Sequence, residues 1–421
     1  MPLPNTQLTS RLAIDGGTPV RSGAFSHWPF FDDELCAASE RVLRSGKVNY
    51  WTGDEGKTFE KEYAEAIGTK HSIVLANGTL ALELALYGLG IGAGDEVIVP
   101  SRTFIASASC AVMRGATPVV ADVNRDSQNL TVETIRDVTT SRTKAIIAVH
   151  LAGWPCDMDP IMEFAEARGI RVIEDCAQSH GAVYKGRHVG SIGHIGAFSF
   201  CQDKIMTTGG EGGLMTTNDR EIWSKCWSMK DHGKSWDAVT GSHEPHRFRW
   251  LHESFGTNWR LTEMQSALGR IMLRRLPDWI AKRRQHATAL TTELSAIDAI
   301  RIPLAPPELR HSYYKYYVFL RPEKLQPSWT RDRIVQAIQA EGVMCGPGSC
   351  SEIYQEKAFD NLGLRPNRRL QVAREIGETS IMFMVHPTLT SEEIQDTASA
   401  IKKVLAVAGK CRLKTLPMAA A

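Results

Sequence analysis

Long apolar runs are missing from this 421-residue sequence. No stretch approaches the roughly 18 residues a membrane helix needs, and Met1–Ser10 has no basic segment leading into an apolar one, so neither a spanning segment nor an export signal is expected. Charge of one sign is also scarce. Forty-nine Lys and Arg against 47 Asp and Glu leave a formal charge of +2, so no global field draws the chain to nucleic acid or to an anionic membrane, and any anion binding has to be local. Cysteines number nine, an odd count with no Cys-x-x-Cys pair and no histidine at zinc-finger spacing, which points to reduced thiols and a cytoplasmic setting. Cys345 and Cys350 bracket Gly-Pro-Gly-Ser, which is loop chemistry, and nothing close by completes a metal site. The glycine-rich Gly209–Gly213 invites comparison with a nucleotide phosphate loop. However, the one Gly-Lys-Ser, at 233–235, has Ser228 where such a loop needs its first glycine. There is no internal repeat and no low-complexity tract.

What is present is an ordinary globular composition, 43% hydrophobic and 23% charged, over a length that suggests two or three domains. From Tyr63 the chain alternates short β-branched runs with longer helical patterns, which predicts parallel strands joined by helical crossovers. Ile73-Val74-Leu75, Val97–Pro100, Val119–Val123, Ala145–Val149 and Arg171–Asp175 read as buried strands because they are apolar on both faces. Ala197–Phe200 and Gly213–Thr217 read as two more. The segment between them is too short for a crossover helix, which predicts an antiparallel excursion or a tight loop. Lys234–Trp250 reads as a surface loop, and Thr262–Leu294 as a long helix kinked at Pro277, with Arg274, Arg275, Lys282, Arg283 and Arg284 on a solvated face. A strand at Tyr314–Leu320 and helices at Arg331–Glu341 and Ser391–Ala408 follow.

Four features in this order carry chemistry. Asn77-Gly78-Thr79 opens a helix, where free N–H groups, a hydroxyl and the positive helix end favour a phosphate, although the same residues also make an ordinary N-cap. Asp175 ends a strand, where ligand sites of open parallel sheets gather. A carboxylate there could face a pyridine nitrogen or simply cap the turn, and Gln178 and His180 close behind it could bind a ring hydroxyl or support the loop. Lys204 lies between apolar strands and Thr207–Gly213, whose glycines permit close backbone approach. A lysine so enclosed offers a nucleophilic amine, whereas a loop lysine alone is ordinarily a surface charge. Gly256-Thr257-Asn258-Trp259-Arg260 is a polar and aromatic cluster after the long loop.

Together with Gly53–Glu60, Val99-Pro100-Ser101-Arg102-Thr103-Phe104 and Glu174–Gly181, these motifs resemble the sugar aminotransferases of the DegT/DnrJ/EryC1/StrS family over about Ile14–Val407. The resemblance implies an α/β fold of the fold-type I pyridoxal-phosphate (PLP) transferases. In it a mostly parallel seven-stranded sheet forms a large domain (26–285), preceded by an N-terminal extension (1–25) and followed by a smaller α/β domain (286–421). By the same resemblance Lys204 is the lysine that holds PLP as a Schiff base and Asp175 the partner of the pyridine nitrogen. Gln178 neighbours the ring hydroxyl, Phe104 stacks on the ring, and Gly78, Thr79 and Ser199 hold the phosphate. Asn258 reaches the site of a facing subunit, which implies a homodimer with shared active sites, and His386, with His180, lies toward the substrate. The implied reaction moves an amino group from glutamate or glutamine to a keto sugar, with pyridoxamine phosphate as the intermediate form of the cofactor. Trp259, where the family commonly has tyrosine or phenylalanine, and a longer, His-rich Lys234–Glu253 depart from the pattern.

Three rival readings bear on the same residues. A dehydratase of the same family carries histidine in place of the lysine, and Lys204 argues against it because a covalent imine needs an amine. A cyclitol ketone aminotransferase or aminobenzoate-type synthase is supported by the Leu12–Pro19 start. A PLP-binding regulator would need a DNA-binding module, and the residues ahead of the large domain are too few and too neutral to supply one.

Overall fold

The computed structural model describes residues 11–242 and 248–410. Seven strands make one twisted sheet: β1 (His71–Leu75), β2 (Glu96–Pro100), β3 (Thr117–Ala121), β4 (Thr143–Val149), β5 (Arg171–Asp175), β6 (Ile195–Ser199) and β7 (Gly213–Thr217). Their order is β1-β7-β6-β5-β4-β2-β3. Neighbours from β6 to β3 run parallel, and β7 alone is antiparallel to both its neighbours. The doubly apolar runs are buried on both faces because helices cover both sides of the sheet. The expected antiparallel excursion is the β6–β7 pair, in which Ser199 faces Gly213.

A second sheet, fully antiparallel, holds β8 (Ile300–Arg301), β9 (Tyr316–Leu320), β10 (Cys345–Gly346) and β11 (Ser380–Phe383) in the order β8-β9-β11-β10. The helices α1 (Asp33–Ser45), α2 (Glu55–Ile67), α3 (Gly78–Gly88) and α4 (Ala106–Met113) belong with the first sheet, and α6 (Arg331–Ala340) and α7 (Ser391–Ala408) with the second. Between them runs α5 (Glu263–Leu294), which packs on α1 and α2 early and on α7 late. A capping box of Thr262 and Gln265 starts it. The segment before α1 folds back on the second sheet, where the Ala13 and Val20 N–H groups donate to Glu341 and Leu12 joins the core beneath α6 and α7.

The expected long helix runs through Pro277 as one 32-residue element, where the lost backbone donor costs about 3 kcal/mol. Two expectations are corrected. Arg283 is not solvated: it is 1% exposed and donates to the carbonyls of Tyr313 and Tyr314 at 3.3 Å each. The stretch Lys234–Trp250 is not all loop, because Ser235 caps a short helix at Trp236–Thr240.

Candidate active site

The C-terminal ends of the parallel strands open into a cavity of about 1080 Å³, where open α/β sheets place their ligands. Gly78, Thr79, Phe104, Asp175, Gln178, Ser199 and Lys204 all line it. Far apart in sequence, these residues meet because each lies at, or just after, a strand end on the same edge of the sheet.

Asp175 is the last residue of β5 and is 6% exposed. Its Oδ1 accepts from the Ala177 N–H at 3.1 Å and its Oδ2 from the Ser107 hydroxyl at 2.9 Å. Burial pushes this carboxyl above its ordinary range, against those two donors and the Lys204 charge, which hold it down. The carboxylate is thus fixed in direction by Ser107, a residue of α4 that the sequence did not single out.

At the start of α3 the Asn77 side chain accepts from the Leu80 N–H at 3.0 Å, so this turn is an N-cap. No acceptor among the described residues takes the N–H of Gly78 or Thr79. Gly78 has no room for a side chain, since a Cβ there would sit 2.5 Å from the Ser199 Cβ. Two backbone donors, the positive end of α3 and the Ser199 hydroxyl therefore converge on one spot.

Lys204 sits in the loop from β6 to β7. The loop is closed by Gln202 N–H to Gly210 O at 2.9 Å and by the Thr207 hydroxyl on Phe200 O at 2.8 Å. Gly209 and Gly210 take φ of +91° and +125°, which L side chains rarely adopt. Trp28, ahead of α1, donates through Nε1 to the Lys204 carbonyl at 2.8 Å. The Lys204 amine lies 5.1 Å from the centre of the Tyr314 ring, and the Tyr314 hydroxyl donates to Asp203. Backbone and side chain are thus held from opposite ends of the chain.

Gln178 Oε1 accepts from the Ala152 N–H at 2.8 Å, which orients the amide and leaves its NH₂ for a ligand. Phe104 is 66% exposed at the cavity wall, with a ring face open to stacking.

Three expected site residues do not line the cavity. His180 is fully buried, with Nδ1 on the Tyr63 hydroxyl and Nε2 on the Ser199 carbonyl, both at 2.8 Å. Burial lowers its pKa to about 4, so the neutral ring braces Ser199 from behind. His386 bonds the Thr388 hydroxyl at 2.8 Å and stacks on Trp28 at 6.3 Å, one layer behind the Lys204 loop. Asn258 is exposed, in a bridge with Asp231.

Tyr314, Lys315 and Asp203 also line the cavity. In the sequence Tyr314 and Lys315 pass as strand residues; the alternation of tyrosines around a lysine was the available signal. His150, Glu174 and Cys176 bring possible metal ligands within 4.8 Å of one another, but these groups are already engaged. His150 Nδ1 accepts from the Cys156 N–H, so its Nε2 donates to Glu174 at 3.0 Å. The Glu174 oxygens also take the Gly190, Ile192 and Gly193 N–H groups. Burial raises the Glu174 carboxyl, but His150 and these amides outweigh it and hold it below its usual range.

This architecture is that of the fold-type I PLP-dependent transferases, whose solved members superpose on the chain. One is an aminotransferase from Psychrobacter cryohalolentis, 56% identical, with a TM-score of 0.90 over 91% of this chain and 99% of that one. Residues 30–402 match the profile of the DegT/DnrJ/EryC1/StrS aminotransferase family, and the chain belongs to that family. Among curated relatives, the UDP-N-acetyl-3-dehydro-alpha-D-glucosamine 3-aminotransferase of Acidithiobacillus ferrooxidans is 35% identical over 90% of this chain and 96% of its own length. The GDP-perosamine synthase of Caulobacter vibrioides is 36% identical over 84% and 92%.

Proposed function

We propose that this aminotransferase binds PLP in the cavity and transfers an amino group from glutamate or glutamine to a nucleotide-linked keto sugar in the cytoplasm, in the making of an amino sugar for a polysaccharide or secondary metabolite. The observation that carries the reading is the convergence of an accessible lysine amine, a buried, aimed carboxylate and two free N–H groups at a helix start on one cavity. The names of the relatives support the substrate class.

The residues fit the cofactor's chemistry. Gly78, Thr79 and Ser199 would hold its phosphate, Asp175 its pyridine nitrogen, Gln178 its ring hydroxyl and Phe104 its ring face. Bound there, PLP supplies an electron sink for a carbon losing a proton and a carrier for nitrogen between two substrates. Lys204 is the covalent anchor, and its Nζ moves the proton at the substrate carbon that bears nitrogen. Asp175, fixed by Ser107 and Ala177, keeps a proton on the pyridine nitrogen; a hydrogen bond between charged groups contributes about 1.5–3 kcal/mol. Trp28 and Asp203, through Tyr314, hold the Lys204 loop in register, and His386 supports Trp28.

A second copy of the chain completes the site in this reading. Asn258 is exposed and outside its own cavity, and a few residues earlier in the chain Phe248, Trp250 and Phe255 are 74%, 86% and 100% exposed, apolar surface of the kind that an interface covers. The division into an extension (1–25), a large domain (26–285) and a small domain (286–421) belongs to the same reading. It is supported by the seven-stranded sheet lying wholly before residue 285 and the four-stranded sheet wholly after it, while a small three-stranded sheet pairs Leu309–Arg310 with Val183–Tyr184 across the boundary.

Purified protein should be yellow, and Lys204→Ala should abolish the visible band and turnover. A protein that gains no band on added PLP, or keeps the same band in the variant, refutes the assignment. Screening nucleotide-linked keto sugars against cyclitol ketones, with both donors, tests the substrate class.

A further inference from the structure

Both substrates of the proposed reaction carry anionic groups, yet among the described residues lining the cavity only Lys204 and Lys315 are cationic. Lys204 is committed to the chemistry. Asp175, Asp203, Glu211 and Glu356 also line the cavity, so a carboxylate entering it needs a specific cation to overcome their repulsion.

Lys315 sits just ahead of β9. Its amine lies 4.6 Å from the centre of the Tyr314 ring, which the Lys204 amine also approaches at 5.1 Å, so the two are within about a small substrate's length of each other. Among the described residues its one polar contact is the Met384 sulfur at 3.2 Å, a weak acceptor, and it makes no ion pair with them. Burial lowers its pKa to about 8, helped by Arg283 and Lys204 and opposed by Asp203, so the amine stays mainly protonated at neutral pH. His386 faces it as well, and is held neutral mainly by burial. A half-buried ammonium over an aromatic face, without a carboxylate partner and open to the cavity, is a cation kept available for a ligand. The neighbouring carbonyls of Tyr313 and Tyr314 are pinned by buried Arg283, which fixes the backbone that presents it.

We propose that Lys315 is the anchor for a carboxylate of the amino donor, so that it sets donor affinity while Lys204 performs the chemistry. This rests on the aminotransferase reading.

The test titrates glutamate against PLP-loaded protein and follows bleaching of the visible band, in wild type, Lys315→Met and Lys315→Arg. Losing a charge-assisted hydrogen bond should raise the half-saturating glutamate concentration by about 10-fold or more in Lys315→Met. The band, the melting temperature and the limiting rate should be nearly unchanged, and Lys315→Arg should recover most of the affinity. L-Alanine, which lacks the side-chain carboxylate, separates the two possible contacts. A loss shared by alanine assigns the α-carboxylate and a loss confined to glutamate the side-chain carboxylate, and both support the proposal. Wild-type bleaching with unchanged half-saturation in Lys315→Met overturns it, as does a defect seen only toward the sugar nucleotide. A wild-type band that no amino donor bleaches would instead refute the aminotransferase reading.

Discussion

Gly78→Ala sets two effects of opposite sign against each other. Alanine is the better helix former, by about 1 kcal/mol in a helix interior, so with free space at the start of α3 the variant would be at least as stable as wild type. The space is not free. The new Cβ would lie 2.5 Å from the Ser199 Cβ and 3.0 Å from its Cα and Oγ, where ordinary contact begins near 3.4 Å. Ser199 cannot simply retreat, because it ends β6 opposite Gly213 and its carbonyl is tied to His180. Overpacking of this kind costs about 1–3 kcal/mol, enough to cancel or reverse the propensity gain. The expected outcome is a lowered melting temperature together with PLP affinity reduced about 10-fold or more, since the displaced N–H groups lose bonds to a charged phosphate worth about 1.5–3 kcal/mol each. Adding Ser199→Gly removes the opposing Cβ, so the double variant should melt above Gly78→Ala alone even though its hydroxyl is gone. Differential scanning fluorimetry of the apoprotein and a PLP titration read the two effects separately. A Gly78→Ala protein that melts higher than wild type and binds PLP as tightly would refute both the packing argument and the phosphate cradle.

Two further outcomes follow from the same contacts. Burial keeps His180 neutral down to about pH 4, whereas its ordinary value is 6.5; the unfolded chain therefore takes up the proton first, and stability falls as pH drops from about 6.5 to about 4. His311 and His386, depressed to about 3, add to the slope, so the check is a comparison of urea unfolding between wild type and His180→Phe, and equal slopes would sink the assignment. Mixing Lys204→Ala with Asn258→Ala protomers under conditions of subunit exchange should restore activity above either parent, because one site of the hybrid then carries both residues; no recovery despite demonstrated exchange would count against a contribution of Asn258 across the interface.

Residues that act through local pattern were legible in the sequence: Asp175 at a strand end, Gly78-Thr79 at a helix start, and the antiparallel pair around Lys204. Ser107 was not, because a small polar residue in an apolar helix has no pattern until the fold turns it toward Asp175 at 2.9 Å. His180, close behind Asp175, could bind a ring hydroxyl or support the loop; the turn after β5 points it inward, where Tyr63 and Ser199 take both nitrogens, so it supports the loop. Arg283 fell within a run of charges whose periodicity suggests a solvated face, and only the second sheet packing on α5 reveals that two carbonyls need its guanidinium.

The position of Lys204 shows why such a site resists a reading by motif alone. Its carbonyl is held by Trp28, 176 residues earlier in the chain. The adjacent Asp203 is held by Tyr314, 111 residues later, and Tyr314 is fixed in turn by Arg283 from α5. The loop's own sequence supplies the turn, through Gly209 and Gly210, but not the direction of the amine. That direction is set where the N-terminal segment, the β6–β7 loop and the second sheet meet. Substitutions at Trp28 or Asp203 would therefore leave the lysine present and the fold closed while moving the amine off its target, and displacements of about 1 Å cost on the order of 100-fold in rate. Lys315 directly follows Tyr314 in the segment ahead of β9, so the stretch that steadies Lys204 also carries the proposed donor anchor. A shift of the second sheet against the first would then change donor affinity and catalytic geometry together.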